Sequence, residues 1–270
     1  MKRKKWYIIK YACSETYTIL GIIGVFLAII CLVDFNAIIT EMWKRGICVI
    51  LIFAVAFAVA LLKTVMKTRV LVDLENGRSA VIEFGDLFEG EDNIVIPVND
   101  SFDTLVDDIV VAKKSIHGQF IKQARDICWL EQKIEEELKK IVPEGMYGDD
   151  KSGKKLYYPL GTTITISVSG KKYYLTALTH FKGNSVETNL LGYYMAILSL
   201  IEYLNEHTAG GSTYIPLLGG GLARLGKTKE HELENLLAVL RMSQTPMVGK
   251  IHIRLNTDLR EQINLHRFEE

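Results

Sequence analysis

The chain has 270 residues, 49% hydrophobic and 24% charged, and its 32 Lys and Arg balance its 32 Asp and Glu. That length holds one full domain with something extra, or two small domains, and a net charge of +0 excludes a strongly basic nucleic-acid binder, which needs a clustered positive excess. Cys13, Cys31, Cys48 and Cys128 show neither Cys-x-x-Cys spacing nor a His at metal-ligand distance, so no metal site is expected and they read as thiols in a reducing compartment.

Residues 1–17 open with "MKRKKWYIIK", rich in Lys and Arg. Two uncharged apolar runs follow, "TILGIIGVFLAIICLV" from Thr18 and "GICVILIFAVAFAVALL" from Gly46. Extended over their flanks to about 18–39 and 43–62, each reaches the length that spans a bilayer. A second apolar run so soon after the first argues against a cleaved signal peptide. Two transmembrane helices within residues 18–66 are expected, with small residues at Gly21, Gly24 and Ala54–Ala60 permitting close packing. Lys and Arg crowd the outer ends, before the first run and at Lys63, Lys67 and Arg69. The positive-inside rule then puts both termini in the cytoplasm, with residues 67–270 as a cytoplasmic domain.

From Arg69 onward strands and helices alternate. "VLVDLEN", "SAVIEFGD" and the almost wholly apolar "NIVIPVN" read as strands, the last covered on both faces. "GQFIKQARDICWLEQKIEEELKKIV" carries apolar residues at helical spacing and predicts one long amphipathic helix ended by Pro143. "TTITISVSGKKYYLTALTHF" predicts two strands joined at a Ser-Gly turn. "SVETNLLGYYMAILSLIEYLNEH" predicts a second long helix capped by Ser185. "STYIPLL" is a strand, "KEHELENLLAVLRMS" a third helix and "KIHIRLN" a final strand. The alternation implies an α/β/α three-layer domain with a mixed sheet, whose ligands collect at the carboxyl ends of strands.

Three strand exits stand out. In "FGDLFEG", Asp86 is placed to accept an adenine amino hydrogen with Leu87 and Phe88 covering the ring, or is a solvated turn. In "IPVNDSF", Asn99 offers a donor and an acceptor that suit ribose hydroxyls, or is a turn asparagine. In "TYIPLLGGGLARLGKT", the N–H groups of Gly219, Gly220 and Gly221 can converge on an anion because no Cβ blocks the approach, or the run is only a turn. "GLARLGKT" formally matches the phosphate loop of nucleotide hydrolases. No strand end supplies the acidic magnesium site those enzymes need. His117 in "SIHGQF" is a ligand donor or an ordinary helix-start residue, and His180 reads as a core or rim histidine. Ser152 and Ser185 lack a base, so no nucleophilic triad is expected.

Taken in order, these loops resemble the macro domain family. "FGDLF" is similar to its Gly-Asp-Ile adenine loop, "VIPVND" to its Val-Asn-Ala-Ala-Asn segment with Asn99 on the last asparagine, and "IPLLGGGLAR" to its diphosphate loop with Gly221 on the defining glycine. The resemblance implies ADP-ribose binding by Asp86, Leu87, Phe88, Asn99, Ser115, His117, Gly118, Leu218, Gly219, Gly220, Gly221, Leu222, Ala223 and Arg224. Two departures matter. No glycine triplet precedes Gly118 in the loop after Asn99, where hydrolytic members carry one. Ala223 and Arg224 stand where an aromatic residue usually packs on the distal ribose, which opens the pocket toward a larger ligand.

With its two apolar runs, the whole chain resembles the transmembrane macro effectors of type II Thoeris antiphage defence. That resemblance implies a multi-pass inner-membrane protein of an abortive, antiviral defence. It would be a non-enzymatic sensor of an ADP-ribose derivative, histidine-ADP-ribose made by a TIR-domain synthase, and would self-associate on binding and damage the bilayer. No catalytic residue, metal or resident cofactor, and no nucleic-acid partner, is expected. The alternatives are a membrane-tethered ADP-ribosyl hydrolase and a non-catalytic membrane scaffold.

Overall fold

The computed structural model describes residues 2–30, 42–75, 77–124, 126–182, 185–187, 190–219, 228–243 and 249–269. The chain divides into two units: Met1–Val70 with Asn264–Arg267, and Leu71–Ile263 with Phe268–Glu270.

The first unit is built on two helices, α1 (Lys2–Ile30) and α2 (Met42–Met66). Ala56 and Ala60, one turn apart on α2, are buried, as is Ala12 on α1, while Ile50, Phe53, Val55 and Leu62 are exposed. Of the expected alanine stripe, Ala56 and Ala60 are covered while Ala54 and Ala58 are exposed, since side chains four apart share a face and those two apart do not. Among the described residues no helix is long and apolar enough to cross a membrane. The expected spans over 18–39 and 43–62 are therefore not supported as such; residues 31–41, which include the end of the first, lie outside the described set. The segment Asn264–Arg267 completes this unit, with the His266 ring stacked on Tyr11 at 4.6 Å.

The second unit is an α/β domain. Its strands are β1 (Arg69–Asp73), β2 (Ser79–Phe84), β3 (Asn93–Asn99), β4 (Gly145–Met146), β5 (Leu156–Tyr157), β6 (Thr163–Val168), β7 (Lys171–Lys182), β8 (Ser185–Glu187), β9 (Thr213–Pro216) and β10 (Ile251–Leu255). Its helices are α3 (Ile116–Gln123), α4 (Ile127–Leu138), α5 (Leu190–His207) and α6 (Lys229–Met242). The main sheet runs β1-β2-β10-β9-β3-β7-β6, with β8 against β7 and the β4–β5 pair apart. From β2 through β7 the neighbours are parallel, and β6 and β8 are antiparallel to β7. The mixed sheet is as expected. β3 is buried at every position but Pro97, as a strand covered on both faces must be.

Two expectations are corrected. The single helix expected from Gly118 to Val142 is two, because Ala124 leaves the helix at ψ 122 and Asp126 starts a new one, its carboxylate accepting the Trp129 N–H at 3.0 Å. A good N-cap inside an amphipathic run outcompetes continuation. The helix expected from Ser185 begins at Leu190 instead, because Ser185–Glu187 pair with His180–Lys182 as a strand.

Candidate functional site

Because β2, β10, β9, β3 and β7 are parallel, their carboxyl ends leave one edge of the sheet together. A cavity of about 870 Å³ opens there. Sheet geometry helps to open it: β3 pairs with β7 from Asn93 to Asn99 but with β9 only at Asn93 and Ile94. Beyond those two pairs β3 and β9 part, and Pro97 and Pro216 occupy the freed edges and line the cavity. Proline cannot donate to a sheet ladder, so it belongs where pairing has ended.

The first wall is the exit of β2. Gly85, Asp86, Leu87 and Phe88 line it. Asp86 Oδ1 accepts the Phe88 N–H at 3.0 Å and so caps the short 3-10 turn Leu87–Glu89. The carboxylate is exposed, and Leu87 turns down into the core, where Phe88 packs beside it. Arg254 of β10 also lines this wall. Its Nε is 3.3 Å from Glu83 Oε1, and its guanidinium lies 5.3 Å from the centre of the Tyr214 ring.

The second wall is the exit of β3. Asn99 is 5% exposed and its Oδ1 accepts the Asp103 N–H at 3.1 Å, which leaves its amide N–H₂ as the group free to donate. Asp103 itself is buried. Its carboxylate holds Lys151 Nζ at 3.0 Å and the Lys154 N–H at 2.6 Å. The ammonium also donates to the Lys154 carbonyl at 2.6 Å and faces the Phe181 ring at 4.7 Å. A buried ion pair is tolerated when its remaining donors and acceptors are satisfied in this way.

His117, on the first turn of α3, lines the same wall. Burial drives its pKa down to about 3, against a hydrogen bond to the Asp103 backbone and aided by Lys154. The imidazole is therefore neutral, a donor at one nitrogen and an acceptor at the other. Ser115 caps the helix by accepting the Gly118 N–H at 3.0 Å. Gly118 itself does not line the cavity. A Cβ there would sit 2.3 Å from the Ala112 carbonyl oxygen, so that glycine serves close packing of the loop on the helix.

The third wall is the exit of β9. Pro216, Leu217, Leu218 and Gly219 line it, and Gly219 takes φ 81, a conformation other residues adopt only at a cost. Gly220, Gly221, Leu222, Ala223 and Arg224, and the rest of the formal phosphate-loop match, lie outside the described residues apart from Thr228. Thr228 caps α6 by accepting the His231 N–H at 3.3 Å. Lys229, beside the cavity, pairs with Glu232 at 2.8 Å.

The structure thus brings Asp86, Leu87, Phe88, Asn99, Ser115, His117, Leu218 and Gly219 around one cavity. It adds groups the sequence reading passed over: Val110–Ala112, Arg254, and Asn256 to Leu259 after β10. The last could have been found, since "IHIRLNTDL" is also a strand exit with a capping Asn, and Asn256 Oδ1 accepts the Asp258 N–H at 3.0 Å. His180, read as a core or rim histidine, does not line the cavity and is held by Asp100 instead. Its Nδ1 is 2.5 Å from Asp100 Oδ2, which also accepts the Tyr147 hydroxyl at 2.6 Å. Burial raises the pKa of Asp100 in spite of those bonds. Among the described residues no cluster could hold a metal ion.

Residues 80–255 match the family described as Thoeris protein ThsA, Macro domain. A protein named Thoeris protein ThsA, from Bacillus amyloliquefaciens (strain Y2), is 30% identical over 206 residues, which cover 72% of this chain and 68% of that one. In fold, the chain is similar to a solved macrodomain of Oceanobacillus iheyensis with ADP, at a TM-score of 0.52 and 13% identity, over 74% of this chain and 94% of the other.

Proposed function

The chain belongs to the ThsA macro-domain family of Thoeris proteins, and from that premise we propose that it is a membrane-anchored antiphage effector whose cavity binds an ADP-ribose-derived signal. The observation that carries this reading is the span of the cavity. The Asp86 and Asn99 exits belong to β2 and β3, three strand spacings apart, or about 14 Å. A compact ligand reaches one of them; an extended nucleoside diphosphate sugar reaches both. Adenine would sit against Asp86 and Phe88, the diphosphate by Gly219 and the loop after it, and the distal ribose at the Asn99 amide.

Binding is favoured over hydrolysis in our reading because the loop from Asp100 to His117 holds no glycine, where the hydrolytic members that the chain resembles carry a triplet. His117 is buried and neutral. The signal is taken to be ADP-ribose bearing a further group, histidine in our reading, and a TIR-domain synthase is the partner that would supply it. The exposed apolar side chains of α2 suit lipid contact. With basic flanks at both outer ends, the helix pair would sit in the inner membrane with both termini cytoplasmic. Ligand-driven self-association would gather the pairs and breach the bilayer.

Calorimetry of the full chain in detergent tests the site. ADP-ribose is expected to bind, and Asn99→Ala to weaken it by about 10- to 100-fold through loss of one or two hydrogen bonds. Absence of ADP-ribose binding to the unsubstituted chain would remove the ligand assignment. Release of free ADP-ribose from a conjugate during long incubation would replace sensing with hydrolysis. Extraction of the chain from membranes by alkaline carbonate would remove the anchor.

A further inference from the structure

β10 lies between β2 and β9 in the sheet, so its exit stands between the Asp86 wall and the Gly219 wall. Arg254 is the β10 residue that lines the cavity, and its Cα pairs with Glu83 on β2 and Pro216 on β9. Adjacent strands are about 4.8 Å apart, so its backbone is one spacing from either wall. Neighbouring strands hold the side chain in place. The Tyr214 ring of β9 stacks on His252 of β10 at 4.7 Å, and the Arg254 guanidinium lies 5.3 Å from the centre of that Tyr214 ring. From the β2 side, Gly85 leaves the room it needs: a Cβ there would fall 2.4 Å from Arg254 Nη1.

The guanidinium is placed but not satisfied. Its Nε is buried and donates no hydrogen bond, and Glu83 Oε1 at 3.3 Å gives it an ion contact only. That same oxygen is nearer to His252 Nδ1, at 2.8 Å. Glu83 therefore orients Arg254 without using up its donors. A guanidinium carries five N–H groups in a rigid plane, and buried donors without acceptors are costly. A phosphate supplies acceptors in the matching bidentate geometry. The other lysine and arginine side chains that line the cavity among the described residues are placed differently: Lys229 is paired with Glu232 at 2.8 Å, and Lys114 belongs to the wall after Asn99. Asp86, Glu89 and Asp258 line the cavity as well, so an anionic ligand needs a cation set among them.

We propose that Arg254 fixes the ligand's diphosphate from the floor of the cavity, so that charged phosphates, and not the base alone, are a condition of binding. This rests on the cavity being the nucleotide site. A ligand with adenine at Asp86 and its diphosphate turned toward Gly219 must pass over β10, where Arg254 stands. Backbone N–H groups at the glycine exit offer partial charges, and Arg254 adds a full one. Loss of the guanidinium leaves Glu83 with His252 as its partner, so the fold is expected to survive the substitution.

Titrations of the full chain in detergent test this, with adenosine followed by ligand-observed NMR and with ADP and ADP-ribose by calorimetry. The unsubstituted chain is expected to bind ADP more tightly than adenosine. Arg254→Gln should weaken ADP and ADP-ribose by about 10- to 100-fold, the worth of a hydrogen bond to a charged group, and leave adenosine unchanged. Arg254→Lys, which keeps the charge and loses the fork, should fall between. Added salt should weaken ADP binding by the unsubstituted chain more than by Arg254→Gln. If adenosine is too weak to titrate, that salt comparison decides. Should Arg254→Gln fail to fold, Arg254→Lys is judged by the same criteria. Unchanged ADP affinity on substitution overturns the assignment, and so does an equal loss for adenosine and ADP, which would put Arg254 under the base. An unsubstituted chain that binds ADP no better than adenosine overturns it too, while leaving a nucleoside site in place. If none of the three ligands binds, the ligand assignment of the cavity fails and takes this role of Arg254 with it.

Discussion

At the Asn99 end of the cavity, Asp103, Lys151 and His117 are 1%, 2% and 7% exposed and hold one another through buried hydrogen bonds. At the Asp86 end the carboxylate is exposed, and its turn is capped by a single hydrogen bond from Phe88. The first end is preset, because moving any member leaves another polar group buried without a partner. The second can shift at little cost. A site built this way fixes one end of an extended ligand and lets the other adapt. The adaptable end adjoins the exit of β10, which neighbours β2 in the sheet and whose Arg260 lies over the Phe84 ring.

The comparison breaks most easily at Lys151. Lys151→Ala strands the Asp103 carboxylate and is expected to cost about 3–5 kcal/mol of stability, read by chemical denaturation. A loss below that of any Asp86 variant would mean the Asn99 end is not the preset one.

His117 comes next. Its pKa in the fold, about 3, lies below the ordinary 6.5, so acid protonates the unfolded chain first. The stabilisation is present in full above pH 6.5 and is lost as pH falls toward 3, at up to about 1.4 kcal/mol per pH unit. His117→Gln should flatten that part of the stability curve. Asp100, whose pKa burial raises, contributes in the opposite sense and remains in both proteins, so the difference between the two curves isolates His117.

The smallest effect belongs to the Asp86 end. Asp86→Ala removes the cap and should cost about 0.5–1 kcal/mol. Asp86→Asn keeps the cap and should leave the denaturation midpoint in place, while weakening ADP-ribose binding by removing the acceptor for the adenine amino group. Equal binding to both forms would show that Asp86 is only a cap.

Much of the fold was legible in local pattern. The two-sided apolar string Ile94–Val98 had to be a covered strand, and the Ser169–Gly170 turn did join β6 to β7. Local pattern failed where two local options competed: Asp126 broke a periodic helix, and Ser185–Glu187 paired with a strand tip instead of capping a helix. At the site, Asp86 and Asn99 were recognisable as polar groups at strand exits. Lys151 and Arg254 were not, since a surface lysine and a strand arginine look ordinary until burial and a carboxylate partner are seen.

What the sequence by itself determined is the set of elements and the chemistry at their ends, because apolar periodicity, caps and turns act over a few residues. Only the tertiary structure decided that the ends of β2, β10, β9, β3 and β7 meet at one edge, and that β3 and β9 part beyond Ile94 to leave room between them. It likewise decided that Lys151 is the cation for Asp103. Strand order and buried charge pairing join residues far apart in the chain, and the energy that selects them exists only once the whole sheet has formed.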